Sequence, residues 1–181
     1  YNIELPLVGE FQTYNALCAL GLIIAAGADH SATEYLTQLS GVRGRMELAG
    51  TLKNGAAVYV DYAHTPDGLK TVLEALRPHC QNHLHVVFGC GGDRDAGKRP
   101  MMGDIAATLA DRAIVTDDNP RSEDAATIRR AVIAASEKLI ETGGRRNAIE
   151  QAIADLEKGD ILVIAGKGHD CLLYTSPSPR D

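Results

Sequence analysis

This 181-residue sequence is short of several features that would place it at once. No apolar run approaches the roughly 20 residues that a helix needs to cross a bilayer, so no membrane partner is expected. The start does not combine basic, apolar and small residues as a secretory signal does. It also lacks an initial methionine, and the expectation is a piece of a longer protein. Cysteine is sparse. Cys18, Cys80, Cys90 and Cys171 make no paired spacing, and they read as reduced thiols of a cytoplasmic protein. An excess of positive charge is absent too: 18 Lys and Arg stand against 24 Asp and Glu, for a net charge of -6. That balance disfavours nonspecific nucleic-acid binding. Neither familiar phosphate loop occurs. The glycines at 89–92 do not fit G-x-G-x-x-G, and Gly97-Lys98 is followed by Arg99 instead of Ser or Thr.

What is present is an ordinary globular composition, 45% hydrophobic and 23% charged, in a chain long enough for one domain with a proper core, or one domain and a fragment. The centre of the pattern is Val86 to Pro100. There an apolar run ends in a glycine cluster, then Asp93-Arg-Asp95, a basic pair, and a proline suited to a first helical turn. Upstream, residues 1–44 read as helical. A helix over 15–26 stops at Gly27, and Ser31 to Glu34 has the form of a capping box opening a second helix that ends near Ser40-Gly41. Val42 to Met46 reads as a linker. Two short strands, 46–51 and 57–61, flank the hairpin signal Asn54-Gly55. Thr65-Pro66 opens a helix to about Arg77. Strands follow at 85–89, 113–116 and 161–165, with helices at 100–110, 124–141 and 147–157. Alternating strands and helices predict an α/β fold: a Rossmann-like, mostly parallel sheet covered by helices on both faces.

The polar residues suited to a ligand follow the strands. Asp61 and His64 follow the first, Gly89 to Arg94 the second, Asp117 to Arg121 the third, and Gly166 to His169 the fourth. Ligands of open α/β sheets bind beyond the carboxyl ends of the strands, so these four loops are expected to share one crevice. Asp61 suits a ribose hydroxyl or a plain helix cap. His64 suits a phosphate, a proton transfer, or no more than a satisfied loop position. In Asp117-Asp-Asn-Pro-Arg121 a guanidinium matches a carboxylate and an acid matches an ammonium, with Pro120 fixing the backbone. Such a set would grip an amino-acid headgroup. The plainer alternative is a solvated turn with its own salt bridge. His79, His83 and His85 sit at a helix end and a strand start, without the helical i, i+4 geometry of a zinc motif, and no metal ligands are expected in this chain.

Assembled, these residues resemble the Mur ligases, the ATP-dependent amino-acid ligases of peptidoglycan synthesis. The matching pieces, in order, are Gly9-Glu-Phe11 with Asn15, Gly44 to Glu47, Val60 to Pro66, Phe88 to Asp95, Gly97 to Pro100, Thr116 to Arg121 and Gly166 to His169. The resemblance implies three regions. Residues 1–44 would be the end of a central ATPase domain, its helical remnant. Residues 45–170 would be a truncated amino-acid-binding C-terminal domain, and 171–181 a foreign or disordered tail. It implies a monomeric cytoplasmic enzyme that uses ATP and Mg2+ to activate the glutamate carboxylate of a UDP-N-acetylmuramoyl dipeptide as an acyl phosphate. The amine of meso-2,6-diaminopimelate then attacks it. Magnesium ligands are expected outside this chain. Arg94, Asp118, Asn119, Pro120, Arg121, Gly166 and Asp170 would bind diaminopimelate, Asn15, Arg45 and Asp61 would lie near the nucleotide, and His64 would be catalytic. The arginine of the Asp118 to Arg121 loop favours diaminopimelate over lysine, because the extra carboxylate needs it. Related ligases for lysine or folate glutamate, and a non-catalytic nucleotide-binding module, are the competing readings. Three departures from the family stand out: Gln12 for asparagine, Asp170 for glutamate, and an unrelated sequence from Cys171 onward. The link from Glu141 to Asn147 is also too short for the strand expected there.

Overall fold

Two strands rich in Val, Ile and Leu, Leu84–Phe88 and Ile161–Ala165, are buried along their whole length. That is how a strand reads when both faces of its sheet are covered. They sit at the centre of a six-stranded sheet. The structure is a computed structural model that describes residues 2–166. The chain divides into two compact units between Val42 and Arg43.

The first unit holds one α-helix, α1 (Glu10–Ala25), and a 3-10 helix, His30–Gln38. α1 stops at Ala26, and Gly27 turns the chain with φ 103°. The second helix differs from expectation. Its cap is Asp29, whose carboxylate accepts the Ser31 N–H at 2.7 Å, so Ser31 does not open a capping box. An Asp that accepts from the backbone two residues on draws the chain into a tight turn, and the coil that follows keeps the narrower 3-10 form. Ala16 is the one buried side chain among the described residues of this unit.

The second unit begins with the expected hairpin. β1 (Glu47–Thr51) and β2 (Ala57–Asp61) pair antiparallel, and Gly55 turns between them with φ 92°. Asn54 accepts the Ala56 N–H at 3.0 Å and donates to the Leu156 carbonyl at 2.8 Å. Thr65 caps α2 (Pro66–Leu76) by accepting the Gly68 N–H, with Pro66 at the first helical position as its fixed φ favours. β3 (Leu84–Phe88), α3 (Lys98–Leu109) and β4 (Arg112–Val115) come next. α3 starts two residues before Pro100, which still falls in the first turn, where its missing N–H has no intrahelical partner to lose.

The long helix expected over 124–141 is two elements. Asp124 does cap a helix, accepting the Thr127 N–H at 2.8 Å, but this α4 (Ala125–Ile133) is short. The chain then forms β5 (Leu139–Glu141), which pairs parallel with β4 through Ala113↔Leu139 and Val115↔Glu141. Pairing to a neighbouring strand outweighs local helix preference here. The strand expected after Glu141 therefore ends at that residue. α5 (Arg145–Ala154) leads to β6 (Ile161–Ala165).

Strand order is β1-β2-β6-β3-β4-β5, with every pair parallel except β1 with β2. α5 supplies Ala148, Ile149 and Ala152 to a core shared with Val58, Val60, Val87, Ile114, Leu162 and Ile164. Those strand positions alternate, so they share one face of the sheet. α2 packs on α3, and α3 on α4. Because β6 inserts between β2 and β3, the loops after all three strands emerge side by side, the arrangement that opens a crevice at the carboxyl edge.

Candidate functional site

A cavity of about 460 Å³ lies at that edge. Three of the expected loops meet there, along with the first described residue of the fourth. Tyr62, His64 and Thr65 come from the end of β2. Gly89, Cys90, Gly91, Arg94 and Asp95 follow β3, and Lys98, Arg99 and Met102 belong to α3. Asp118, Asn119 and Arg121 follow β4, and Gly166 follows β6.

Close backbone approach explains the glycines. A Cβ at Gly89 would come within 2.5 Å of the Thr116 carbonyl oxygen, and one at Gly92 would overlap the Pro120 carbonyl oxygen. The loops are also hydrogen-bonded together. Gly92 N–H donates to the Asn119 carbonyl at 2.9 Å, and Arg121 Nη1 donates to the Gly92 carbonyl at 2.7 Å. Asn119 Oδ1 in turn accepts the Arg121 N–H at 3.1 Å. Asp93 and Arg121 both have positive φ, 52° and 51°. Such backbone is costly for non-glycine residues and persists where surroundings over-determine it.

One clamp was not foreseen. Arg99 is buried, and its Nη2 donates to Glu123 Oε1 at 2.7 Å. The same oxygen accepts the Asp93 N–H at 2.7 Å, while Ser122 Oγ donates to Asp93 Oδ1 at 2.6 Å. The Arg99 hydrogen bond holds the Glu123 carboxyl below its ordinary range, and the Ser122 hydroxyl does the same for Asp93. Burial pushes the Cys90 thiol up to about 11, so it stays protonated and acts as an apolar wall beside Met102.

The expected site residues divide into groups. Arg94, Asp118, Asn119, Arg121, Gly166 and His64 all line the cavity. Pro120 shapes it through its carbonyl, which accepts the Glu123 N–H at 3.0 Å. Asp117, the other acid of the loop, is drawn away into pairing with Arg129 and accepts the Gly144 N–H at 2.7 Å. Asp61 is not among the residues lining the cavity. It is buried, and its two oxygens accept the Met46 and Ala63 N–H groups at 2.8 and 2.7 Å. Burial raises its pKa, and it clamps the linker to the end of β2 instead of opening on the cavity. Arg45 stacks its guanidinium over the Tyr62 ring at 4.7 Å, and Tyr62 meets His64 edge-on, centroids 4.7 Å apart. Asn15 belongs to the first unit, where its Nδ2 donates to Gln12 Oε1 at 3.2 Å. Asp170, with Lys167 to His169 and the tail 171–181, lies outside the described residues.

At the cavity four cations, Arg94, Lys98, Arg99 and Arg121, therefore outnumber two acids, Asp95 and Asp118, at an edge built largely of backbone groups. That arrangement can hold a ligand carrying both charges, with its anionic groups in the majority.

Comparison with known proteins gives the same direction. The family model described as "Mur ligase, glutamate ligase domain" matches residues 44–168. The UDP-N-acetylmuramoyl-L-alanyl-D-glutamate--2,6-diaminopimelate ligase of Zymomonas mobilis is 61% identical over 171 residues, covering 94% of this chain. A solved structure of a ligase of that name superposes with a TM-score of 0.69 at 40% identity, over 94% of this chain and 36% of the other. Folylpolyglutamate synthase of Mycobacterium tuberculosis superposes with a TM-score of 0.68 at 25% identity, over 91% of this chain and 39% of the other. The chain spans about a third of the curated relatives it matches, 35% for the Zymomonas protein.

Proposed function

The chain belongs to the Mur ligase family, and on that premise we propose that it is the amino-acid-binding part of an ATP-dependent ligase that joins meso-2,6-diaminopimelate to UDP-N-acetylmuramoyl-L-alanyl-D-glutamate. One observation carries the choice of amino acid: Arg94 and Arg121 border the same cavity as Asp118. The far end of diaminopimelate is an ammonium beside a carboxylate. Asp118 accepts from the ammonium, and the arginines hold the carboxylate as forked donors. Arg121 gives one donor to Gly92, and the rest of its fork serves the ligand. Lysine has the same chain without that carboxylate and would leave both guanidinium groups unmatched. Held by its far end, the amino acid extends its near amine toward the acyl phosphate. Asp170 would add a contact from beyond Gly166.

His64 Nδ1 lies 3.0 Å from the Tyr62 carbonyl. A carbonyl only accepts, so Nδ1 carries the proton, which leaves Nε2 as the ring nitrogen able to act as a base. That role suits taking a proton from the attacking amine. Asn15 and Arg45 would lie toward the nucleotide, and the Arg45–Tyr62 stack would order the adjoining loop. Asp61 supports this edge as a buried clamp.

ATP and Mg2+ are implied for an intact family member. Two of the carboxylates at this edge are committed elsewhere, Asp117 to Arg129 and Asp61 to backbone N–H groups. No step is therefore assigned to a metal here. The intact enzyme would act in the cytoplasm as a monomer, on small molecules alone. The 181-residue chain by itself is expected to show no ligation, since Gly97-Lys98-Arg99 cannot serve as a Walker loop.

The test is phosphate release by an intact ligase carrying this sequence, with the UDP-muramoyl dipeptide, ATP and one of diaminopimelate, lysine or glutamate. Turnover with diaminopimelate at least about tenfold above that with lysine supports the reading; a gap of that size is about 1.4 kcal/mol of discrimination. Equal or better turnover with lysine or glutamate contradicts it.

A further inference from the structure

At the opposite, amino-terminal edge of the sheet, the mechanism leaves a cluster of metal-ligating side chains unused. His83 precedes β3, His85 is its second residue, and Asp160 immediately precedes β6. Residues 83 and 85 are two apart in extended chain, so their side chains leave the same face. The ligand atoms of the three residues all lie within 4.8 Å of one another. His83 Nδ1 is 3.6 Å from Asp160 Oδ1, and His85 Nε2 is 3.2 Å from Asp160 Oδ2. Nitrogen and oxygen ligands at about 2.0–2.1 Å from a tetrahedral zinc stand roughly 3.3 Å apart. The observed spacing is close to that of a site awaiting its ion.

The hydrogen bonding points the same way. His85 is buried, its side chain 8% exposed, and neither ring nitrogen has a hydrogen-bond partner. Nε2 stands 3.2 Å from the Asp160 carboxylate as an ion-pair neighbour without meeting the geometry of a hydrogen bond. With its proton on Nδ1, the His85 ring turns an Nε2 lone pair toward Oδ2, and two such converging lone pairs suit a cation. Asp160 retains capacity for one. Its Oδ1 accepts from Asn82 Nδ2 and the His83 N–H, at 2.8 and 2.9 Å, while Oδ2 accepts only the Glu157 N–H among these backbone donors, at 2.8 Å. A carboxylate oxygen has two lone pairs, and the second on Oδ2 faces His85. The neighbouring cation, Arg112, is offset by Asp155 at 2.6 Å. The His83 ring is 58% exposed, which leaves the fourth position open to water.

We propose that His83, His85 and Asp160 bind a divalent transition metal of the zinc type, bridging β3 and β6 at the edge remote from the substrate cavity. Two imidazoles and one carboxylate favour zinc, cobalt or nickel over magnesium or calcium, which prefer all-oxygen shells. The ion would tie together two adjacent central strands, so it would act on stability. The sequence argued against a metal here because the histidines fall at a helix end and a strand start, off a single helical face. The present site instead uses i, i+2 on a strand together with a residue 75 positions farther on, which only the β3–β6 pairing brings near.

The experiment is zinc and cobalt titration of the metal-free full chain, read by calorimetry, by cobalt visible absorption and by 15N shifts of the histidine rings. One zinc per chain is expected, with cobalt d–d bands of tetrahedral form and no near-ultraviolet band of sulfur-to-metal charge transfer. The ring resonances of His83 and His85 should move while that of His64 does not. His83→Ala, at an exposed position that the fold does not need, should weaken zinc binding tenfold or more and abolish the thermal upshift that zinc gives the parent chain. Four results would each overturn the proposal: zinc binding unchanged in H83A, a thiolate charge-transfer band, stationary His83 and His85 resonances at saturating zinc, or no uptake at all.

Discussion

At the scale of single residues, the cavity depends on atoms that exclude others. Gly92 leaves room for the Pro120 carbonyl, and Gly92→Ala forces the two loops apart. The expected cost is about 1–3 kcal/mol, as for other overpacked sites, read as a lower urea midpoint. The Arg99–Glu123 pair should make loop stability depend on pH. Glu123 has a lowered pKa in the folded state, so its contribution is fully present above the unfolded value near 4.3. It is lost as pH falls through the lower folded value. Urea midpoints of the parent and Glu123→Gln should therefore differ at pH 7 and converge as pH falls through the lowered folded value. A constant gap would deny the pair this role. Cys90, with its thiol pushed up to about 11, should resist iodoacetamide at pH 8 while the exposed Cys18 reacts. Peptide mass spectrometry distinguishes them. Residues whose chemistry speaks alone were legible here: Arg94, Asp118 and Arg121 carry charge in glycine- or proline-marked loops. Glu123 was not, because its partner lies 24 residues away and only the fold joins them. Asp61 was legible as a post-strand acid, but not as a buried one.

At the scale of elements, helices with clear caps were readable and short strands were not. Thr65-Pro66 and Asp124 mark their helices by side chains that satisfy the first N–H groups. β5 is three residues long and exists because β4 offers it an edge. Nothing within Leu139–Glu141 separates a strand from the end of a helix, since short apolar runs suit both periods. The 3-10 form of His30–Gln38 was hidden for a related reason, as its cap lies two residues before the one the motif indicated. α2 turns Leu69, Val72, Leu73 and Leu76 inward, all fully or nearly fully buried. Leu73→Ala should cost about 2–5 kcal/mol, the range for deleting buried leucine methyls, with the substrate loops otherwise unchanged.

At the scale of the whole molecule, the two units differ in how much they bury. The second holds the sheet and its core. The first, among its described residues, buries Ala16 alone. Amide exchange should follow that difference: α1 should exchange fast, and β3 and β6 should be protected up to the global unfolding free energy. The α/β class and the shared edge of the loops were readable because alternating elements leave few topologies. The order in which β6 inserts between β2 and β3 was not, although it is what brings Gly166 beside Gly89 and Asp118.

The account rests on an amino acid held by its far carboxylate between arginines of separate loops. Titration calorimetry of meso-diaminopimelate, lysine and ATP into an intact ligase carrying this sequence, and into its Arg121→Ala form, tests this most directly. Diaminopimelate should bind the parent more tightly than lysine does. The substitution should weaken diaminopimelate by about 2–5 kcal/mol, the range for an unpaired buried charge contact, and leave ATP nearly unchanged. Equal losses for diaminopimelate and ATP, or lysine bound as well as diaminopimelate, would contradict it.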